Sequence, residues 1–233
     1  MNPKKLALFD LDHTLIPFDS DYSWGEFTTT LGWTDGAEFK RQNDGFYADY
    51  KAGTLDIHAY CRFATTTICQ QGATNSIAAH AEYMKAVVRK GIKPQALKLV
   101  QDHQAAGDTV VIITATNEFV TAPIARAFGV QDLLAIELER DSADGGSGWY
   151  TGEIRGVPSF REGKVTRLEQ WMHARGLSWD TVHTTFYSDS INDLPLLEKA
   201  DVPVATNPDA PLSAIARERG WRILQLFDPT AAG

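Results

Sequence analysis

The chain has 233 residues, 43% of them hydrophobic, with a formal net charge of -8 and a pI near 5.2. That length and composition give a full core in one large or two modest domains and exclude a disordered chain. The acidic balance excludes a basic nucleic-acid-binding stripe, and no apolar run reaches the length of a membrane span.

The N-terminus runs Met1-Asn2-Pro3-Lys4-Lys5 straight into four apolar residues, too few for a signal-peptide core. Cys61 and Cys69 match no metal or redox spacing and read as small apolar residues of a helical region. With no disulfide framework, a reducing cytoplasm is the expected location. No motif speaks to oligomeric state.

Leu6-Ala7-Leu8-Phe9 reads as a buried parallel strand, and Asp10-Leu11-Asp12-His13-Thr14-Leu15 follows it. Ligands of an open parallel sheet sit beyond the carboxyl ends of its strands, so Asp10 and Asp12 are expected at the lip of a site. Residues 19–89 carry no strand-like run. Trp24, Phe27 and Leu31, then Phe39, Phe46 and Tyr50, then Ile57, Tyr60 and Phe63 recur at helical spacing, with Gly32, Gly36, Gly53 and Gly72 as stops. This is a small all-helical insert, and its aromatic stripe is expected to be core.

A helix is expected from Pro94 to near Gly107, and a second buried strand over 109–113 ends in Thr114-Ala115-Thr116-Asn117. A helix over 119–128, a strand over 133–138, a turn-rich segment over 141–148 and a hairpin strand over 149–154 come next. A helix over 164–174, a strand over 184–187 ending at Ser188-Asp189, a short helix from Pro195 and short strands at 202–205 and 222–224 complete the pattern. Strands alternating with helices predict a parallel α/β sheet, interrupted by the helical block after strand one.

Asp10 and Asp12, Thr114, the helix start at Gly163-Lys164, and Asp189, Asn192 and Asp193 then fall at ends facing one crevice. Singly each has a bland reading: Thr114 as a helix N-cap, Lys164 as a surface lysine, Asp193 as the cap of the helix at Pro195. Asn117 and Glu118 read equally as phosphate or substrate contacts and as a helix start.

In this order, the residues resemble the motifs of the haloacid dehalogenase (HAD) superfamily of phosphohydrolases. Asp10-Leu11-Asp12-His13-Thr14-Leu15 resembles the first motif, and 110–114 the second. Lys164 resembles the third and Ser188-Asp189-Ser190-Ile191-Asn192-Asp193 the fourth, with Ser188 where the family more often has Gly. The helical insert resembles the C1 cap of the phosphoserine phosphatase-like branch, subfamily IB. The resemblance covers residues 6–205. It implies a Rossmann-like core over 1–16 and 90–233 and a cap over 17–89.

It also implies a Mg²⁺-dependent phosphatase acting on a small-molecule phosphate ester. Asp10 would be the nucleophile, Asp12 the proton donor and acceptor, Thr114 a phosphate ligand and Lys164 the balancing charge. Mg²⁺ would sit on Asp10, Asp189 and the backbone carbonyl of Asp12, with Asn192 and Asp193 holding the groups around it. His13 occupies a variable position. The connection 17–24 should line the cavity, with Asp19, Asp21, Trp24 and Asn117 as substrate contacts. Tyr22 and Phe18 lie close by.

The branch places an arginine for a substrate carboxylate where Ala64 stands here, and Arg62 is on another helix face. An amine-bearing ester such as histidinol phosphate or phosphocholine therefore fits better than phosphoserine. A phosphotransferase or mutase on this scaffold, and a phospho-accepting receiver-like module, are the alternatives.

Overall fold

The computed structural model describes residues 3–143 and 145–227. Residues 1–2 and 228–233 of the expected core range, and Asp144 of the turn-rich segment, lie outside the described residues.

Strand β1 (Lys4–Phe9) is buried from Leu6 onward. The helical block follows: α1 (Ser20–Thr30), α2 (Gly36–Ala52), α3 (Ile57–Tyr83), a π-helical turn (Met84–Val88) and α4 (Arg89–Gly91). Aspartates cap its three long helices. Asp19, Asp35 and Asp56 each accept a backbone N–H in the first turn of α1, α2 and α3. Not every glycine is a stop: Gly36 opens α2, and Gly72 kinks α3 with φ 69°.

The core resumes with α5 (Pro94–Ala105), β2 (Thr109–Asn117), α6 (Glu118–Ala127) and β3 (Asp132–Ile136). A small antiparallel ribbon of β4 (Leu138–Arg140) and β5 (Tyr150–Ile154) packs against α3. Then come α7 (Glu162–His173), β6 (Val182–Ser188), α8 (Leu194–Lys199), β7 (Val202–Thr206), α9 (Ala210–Glu218) and β8 (Arg222–Leu224). The run expected as one strand over 133–138 is divided. Its first part joins the main sheet as β3, and Leu138 starts the ribbon.

Among the described residues the main sheet has six parallel strands in the order β3-β2-β1-β6-β7-β8. Both faces are covered. Ala7 and Phe9 of β1 face α5, α6 and the helical block, while Leu6 and Leu8 face α7, α8 and α9. This two-sided burial explains why the central strands read as continuous apolar runs rather than alternating ones. The strand order reverses between β1 and β6, so the crevice beyond their carboxyl ends is the natural ligand site of the fold. No helix among the described residues is long and apolar enough to cross a membrane.

Candidate active site

Asp10 leaves β1 with its N–H donated to the Tyr187 carbonyl at 2.9 Å, which keeps the end of β1 joined to β6. Its side chain meets Lys164, from the first turn of α7: Nζ lies 2.7 Å from Asp10 Oδ1 and 2.7 Å from Asp193 Oδ2. Ser188 Oγ donates to the same oxygen of Asp193 at 2.6 Å. The Lys164 side chain is only 3% exposed, so the surface-lysine reading fails. Burial alone would lower its pKa, but the two carboxylates outweigh that and hold it above the ordinary lysine range. Gly163 makes this approach possible, since a Cβ there would sit 2.0 Å from the Pro158 carbonyl oxygen.

Burial pushes the Asp10 carboxyl up, to about 7. Lys164 opposes the rise, and Asp193 and Asp12 add to it. Asp12 is raised to about 7 as well, first by burial and then by Asp19. Its partners are different. Ser20 N–H, at the start of α1, donates to Oδ1 at 2.9 Å, and Thr116 Oγ1 donates to Oδ2 at 2.8 Å. One aspartate is thus bound to a lysine, and the other only to neutral donors.

Asp189 accepts Thr14 Oγ1 on Oδ1 at 3.0 Å. Burial, then Asp10 and Asp193, push its pKa well up. No protein donor among the described residues reaches Oδ2 of Asp10 or Oδ2 of Asp189. Both oxygens belong to carboxylates that burial and mutual repulsion make costly to ionise, which is the donor chemistry a hard dication satisfies. No three His, Cys, Asp or Glu side chains among the described residues converge as a ready-made cage. The Asp12 side chain is turned toward Ser20 and Thr116, which leaves its backbone carbonyl as the group it could offer a metal.

A cleft of about 760 Å³ opens over these groups. Thr114 lines it; its Oγ1 accepts Thr116 N–H at 3.1 Å, and its carbonyl accepts Ser159 Oγ at 2.5 Å. It lies within β2 and caps no helix. Asp19 lines the cleft while also capping α1. Asn192 and Asp193 line it beside Asp189. Asp193 stands at the start of α8 but makes no cap bond, because its carboxylate is engaged by Lys164 and Ser188. His13 lines the cleft with φ 55°.

Three expected substrate contacts are placed elsewhere. Trp24 is fully buried among Phe27, Trp33, His80, Tyr83 and Phe119. Asp21 is buried and accepts Asn117 Nδ2 at 2.9 Å. Asn117 is itself buried and caps α6 through Val120 N–H. For the two on α1 the cause is helical phase: Asp21, Trp24, Gly25 and Thr28 form its buried stripe, which faces the core rather than the cleft. Glu118 accepts Leu138 N–H and does not line the cleft.

The aromatic stripe divides in two. Trp24 and Phe27 pack in the core, whereas Phe46, Tyr50 and Tyr60 line the cleft. Tyr50, on α2, reaches across to Ser190 Oγ at 2.6 Å. Arg62 pairs with Glu153 outside the cleft. Several lining residues are not singled out in the sequence, among them Arg161, just before α7, Asp209, and Asn43, on the same face of α2 as Phe46 and Tyr50.

A family model described as haloacid dehalogenase-like hydrolase matches residues 7–198. The chain belongs to that family. It is 43% identical over 222 residues to a histidinol-phosphatase of Neisseria meningitidis, covering 95% of this chain and 98% of that protein. It is 32% identical over 220 residues to the phosphoserine phosphatase SerB1 of Mycobacterium tuberculosis, covering 93% and 69%. A protein of unknown function from Bordetella pertussis superposes with a TM-score of 0.89 at 46% identity, over 97% of this chain and 100% of that one. A substrate-bound phosphoserine phosphatase superposes with a TM-score of 0.64 at 17% identity, over 96% and 94%, which is a likeness of fold. The HAD resemblance and the α/β fold class are both borne out, and the chain is an enzyme, a HAD-type phosphatase.

Proposed function

We propose that this HAD phosphatase hydrolyses a small amine-bearing phosphate monoester, histidinol phosphate foremost, through an aspartyl-phosphate on Asp10. The observation that carries the reading is the unequal setting of the two aspartates. Asp10 is paired with Lys164 at 2.7 Å, which favours the ionised nucleophile. Asp12 accepts only from the neutral Ser20 N–H and Thr116 hydroxyl and has no cation beside it, which suits a group that gives and takes a proton.

Asp10 attacks phosphorus in line, and the ester P–O bond breaks. The leaving alkoxide takes its proton from Asp12. A water then loses its proton to Asp12 and attacks phosphorus, which releases inorganic phosphate and restores the Asp10 carboxylate. Asp10, Asp189 and the Asp12 carbonyl would hold Mg²⁺, which supplies positive charge against the phosphate dianion. Thr114 and Lys164 bind and balance the phosphoryl oxygens, and Asn192 and Asp193 orient their neighbours. Residues 17–89 act as a cap that closes over the ester and excludes water.

The substrate assignment rests on the cleft. Asp19 offers an anion to an ammonium group, and Phe46, Tyr50 and Tyr60 offer ring faces to a flat or cationic group. Arg62 does not reach in to clamp a carboxylate, which favours histidinol phosphate over phosphoserine. The name of the Neisseria relative agrees.

The test is phosphate release from histidinol phosphate, phosphoserine, phosphocholine and p-nitrophenyl phosphate with Mg²⁺ present. The expected order puts histidinol phosphate first in kcat/KM, with release abolished by Asp10→Asn and by EDTA. Turnover undiminished in Asp10→Asn sinks the mechanism. Preference for phosphoserine sinks the substrate assignment. Transfer of the phosphoryl group to an added alcohol in place of water turns the reading to a phosphotransferase.

A further inference from the structure

Arg161 is held in an unusual way. Its backbone has φ 53° and ψ -123°, a conformation unfavourable for a non-glycine residue that persists where the surroundings enforce it. Its guanidinium lies over the Phe160 ring, 5.0 Å from the centroid, and its Nε donates to Asn192 Oδ1 at 3.0 Å. Opposite is Gly53, at the end of α2, where a Cβ would sit 3.1 Å from Nη2. The absent side chain leaves room for the fork. Ring stacking, one hydrogen bond and a glycine gap thus fix the direction of the group.

Nothing among the described residues uses the rest of it. No carboxylate lies within 4.0 Å of Arg161, and neither Nη1 nor Nη2 donates to a protein acceptor. The charged residues that line the cleft with it are mostly acidic: Asp10, Asp12, Asp19, Asp189, Asp193 and Asp209. Of the other cations lining it, Lys164 is bound by Asp10 and Asp193, and Lys51 lies over the Tyr47 ring. Among the described residues the Lys and Arg side chains lining the cleft are these two and Arg161, and Arg161 is the one fixed by a hydrogen bond and free of a carboxylate. Arg161 and Lys164 leave the same turn at the start of α7, three residues apart, and both line the cleft.

We propose that Arg161 is a phosphate-binding residue, donating its Nη groups in a fork to the non-bridging oxygens of the substrate phosphoryl group. The assignment rests on the phosphatase reading above. It adds to the expected machinery a residue that the catalytic motifs do not contain. The planar fork also accounts for an arginine here, since a lysine presents a single point charge.

The experiment compares wild type, Arg161→Gln and Arg161→Lys, measuring kcat and KM for p-nitrophenyl phosphate and Ki for inorganic phosphate. Arg161→Gln is expected to raise KM and the phosphate Ki at least tenfold, and Arg161→Lys to recover part of the loss. A phosphate Ki within twofold of wild type, with any loss confined to kcat, makes Arg161 a strut between cap and core and overturns the proposal.

Modification of wild-type enzyme by phenylglyoxal, followed by peptide mass spectrometry, needs neither folded variants nor turnover. Inorganic phosphate should protect Arg161 from the reagent, and equal modification with and without phosphate also overturns the proposal. A wild type that releases no phosphate from any ester sinks the phosphatase reading itself, while protection of Arg161 still reports on phosphate binding.

Discussion

The backbone N–H of Ser20 donates to Asp12 Oδ1 at 2.9 Å. Ser20 is the first residue of α1, so the helical block begins on the proposed proton donor. Any movement of α1 changes the partners of that carboxylate, and the helix N-terminus favours its ionised form. The position of α1 and the acid strength of Asp12 are thereby linked through one hydrogen bond.

This link yields a pH prediction. Asp12 has its pKa pushed up to about 7 and must be protonated to assist the leaving group, so kcat/KM for an alkyl phosphate should fall as pH rises through that region. Thr116→Val removes a hydrogen bond to the ionised form and should move the fall to higher pH. Asp19→Asn removes a nearby negative charge and should move it lower. The pH profiles of the two variants check this, and shifts in the same direction contradict the assignment.

Lys164→Met leaves Asp10 and Asp193 buried without a cation. Breaking such a buried pair costs about 3–5 kcal/mol, and phosphate release should fall by roughly 10²-fold or more. Adding Asp193→Asn to Lys164→Met should recover part of the stability and none of the activity. Thermal melts beside steady-state rates separate the two effects.

Trp24 is a core residue here, so Trp24→Phe should leave KM within about twofold of wild type. Its indole Nε1 has no partner among the described residues, so the loss of that donor adds no unpaired group. Trp24→Ala should cost about 3–5 kcal/mol through the cavity it leaves. Urea unfolding measures the cost, and a raised KM in a stable Trp24→Phe protein would show that the ring meets substrate after all.

Burial lowers the pKa of His80 to about 4, while its Nε2–H donates to the Val120 carbonyl at 3.0 Å. The unfolded chain takes up this proton near 6.5 and the folded chain only near 4. The unfolded state therefore binds more protons between those values. Stability from His80 is complete above pH 6.5 and declines as pH falls toward 4, by about 2 kcal/mol at pH 5. His80→Gln should lose that component, so its unfolding free energy should differ less than wild type's between pH 7.5 and 5.

The motif residues were legible because a parallel sheet delivers them to one place. Asp10, Thr114 and Asp189 follow apolar runs whose carboxyl ends must share an edge, and Lys164 opens the helix that packs beneath. Residues 17–24 were less legible. Polar and aromatic residues alternate around α1 without a dominant apolar face, so the sequence does not tell which side meets the core.

Alone, the sequence determines the fold class and which polar residues, Asp10 and Asp12 among them, stand at the strand ends, since these follow from local hydrophobic runs and their order. Only the tertiary structure decides the side-chain directions. It turns Trp24, Asp21 and Asn117 inward, brings Phe46, Tyr50 and Tyr60 to the cleft, and sets Arg161 between Phe160, Asn192 and Gly53. The reason is physical: a side chain's direction depends on how helices from distant parts of the chain share one core, and no local pattern carries that information.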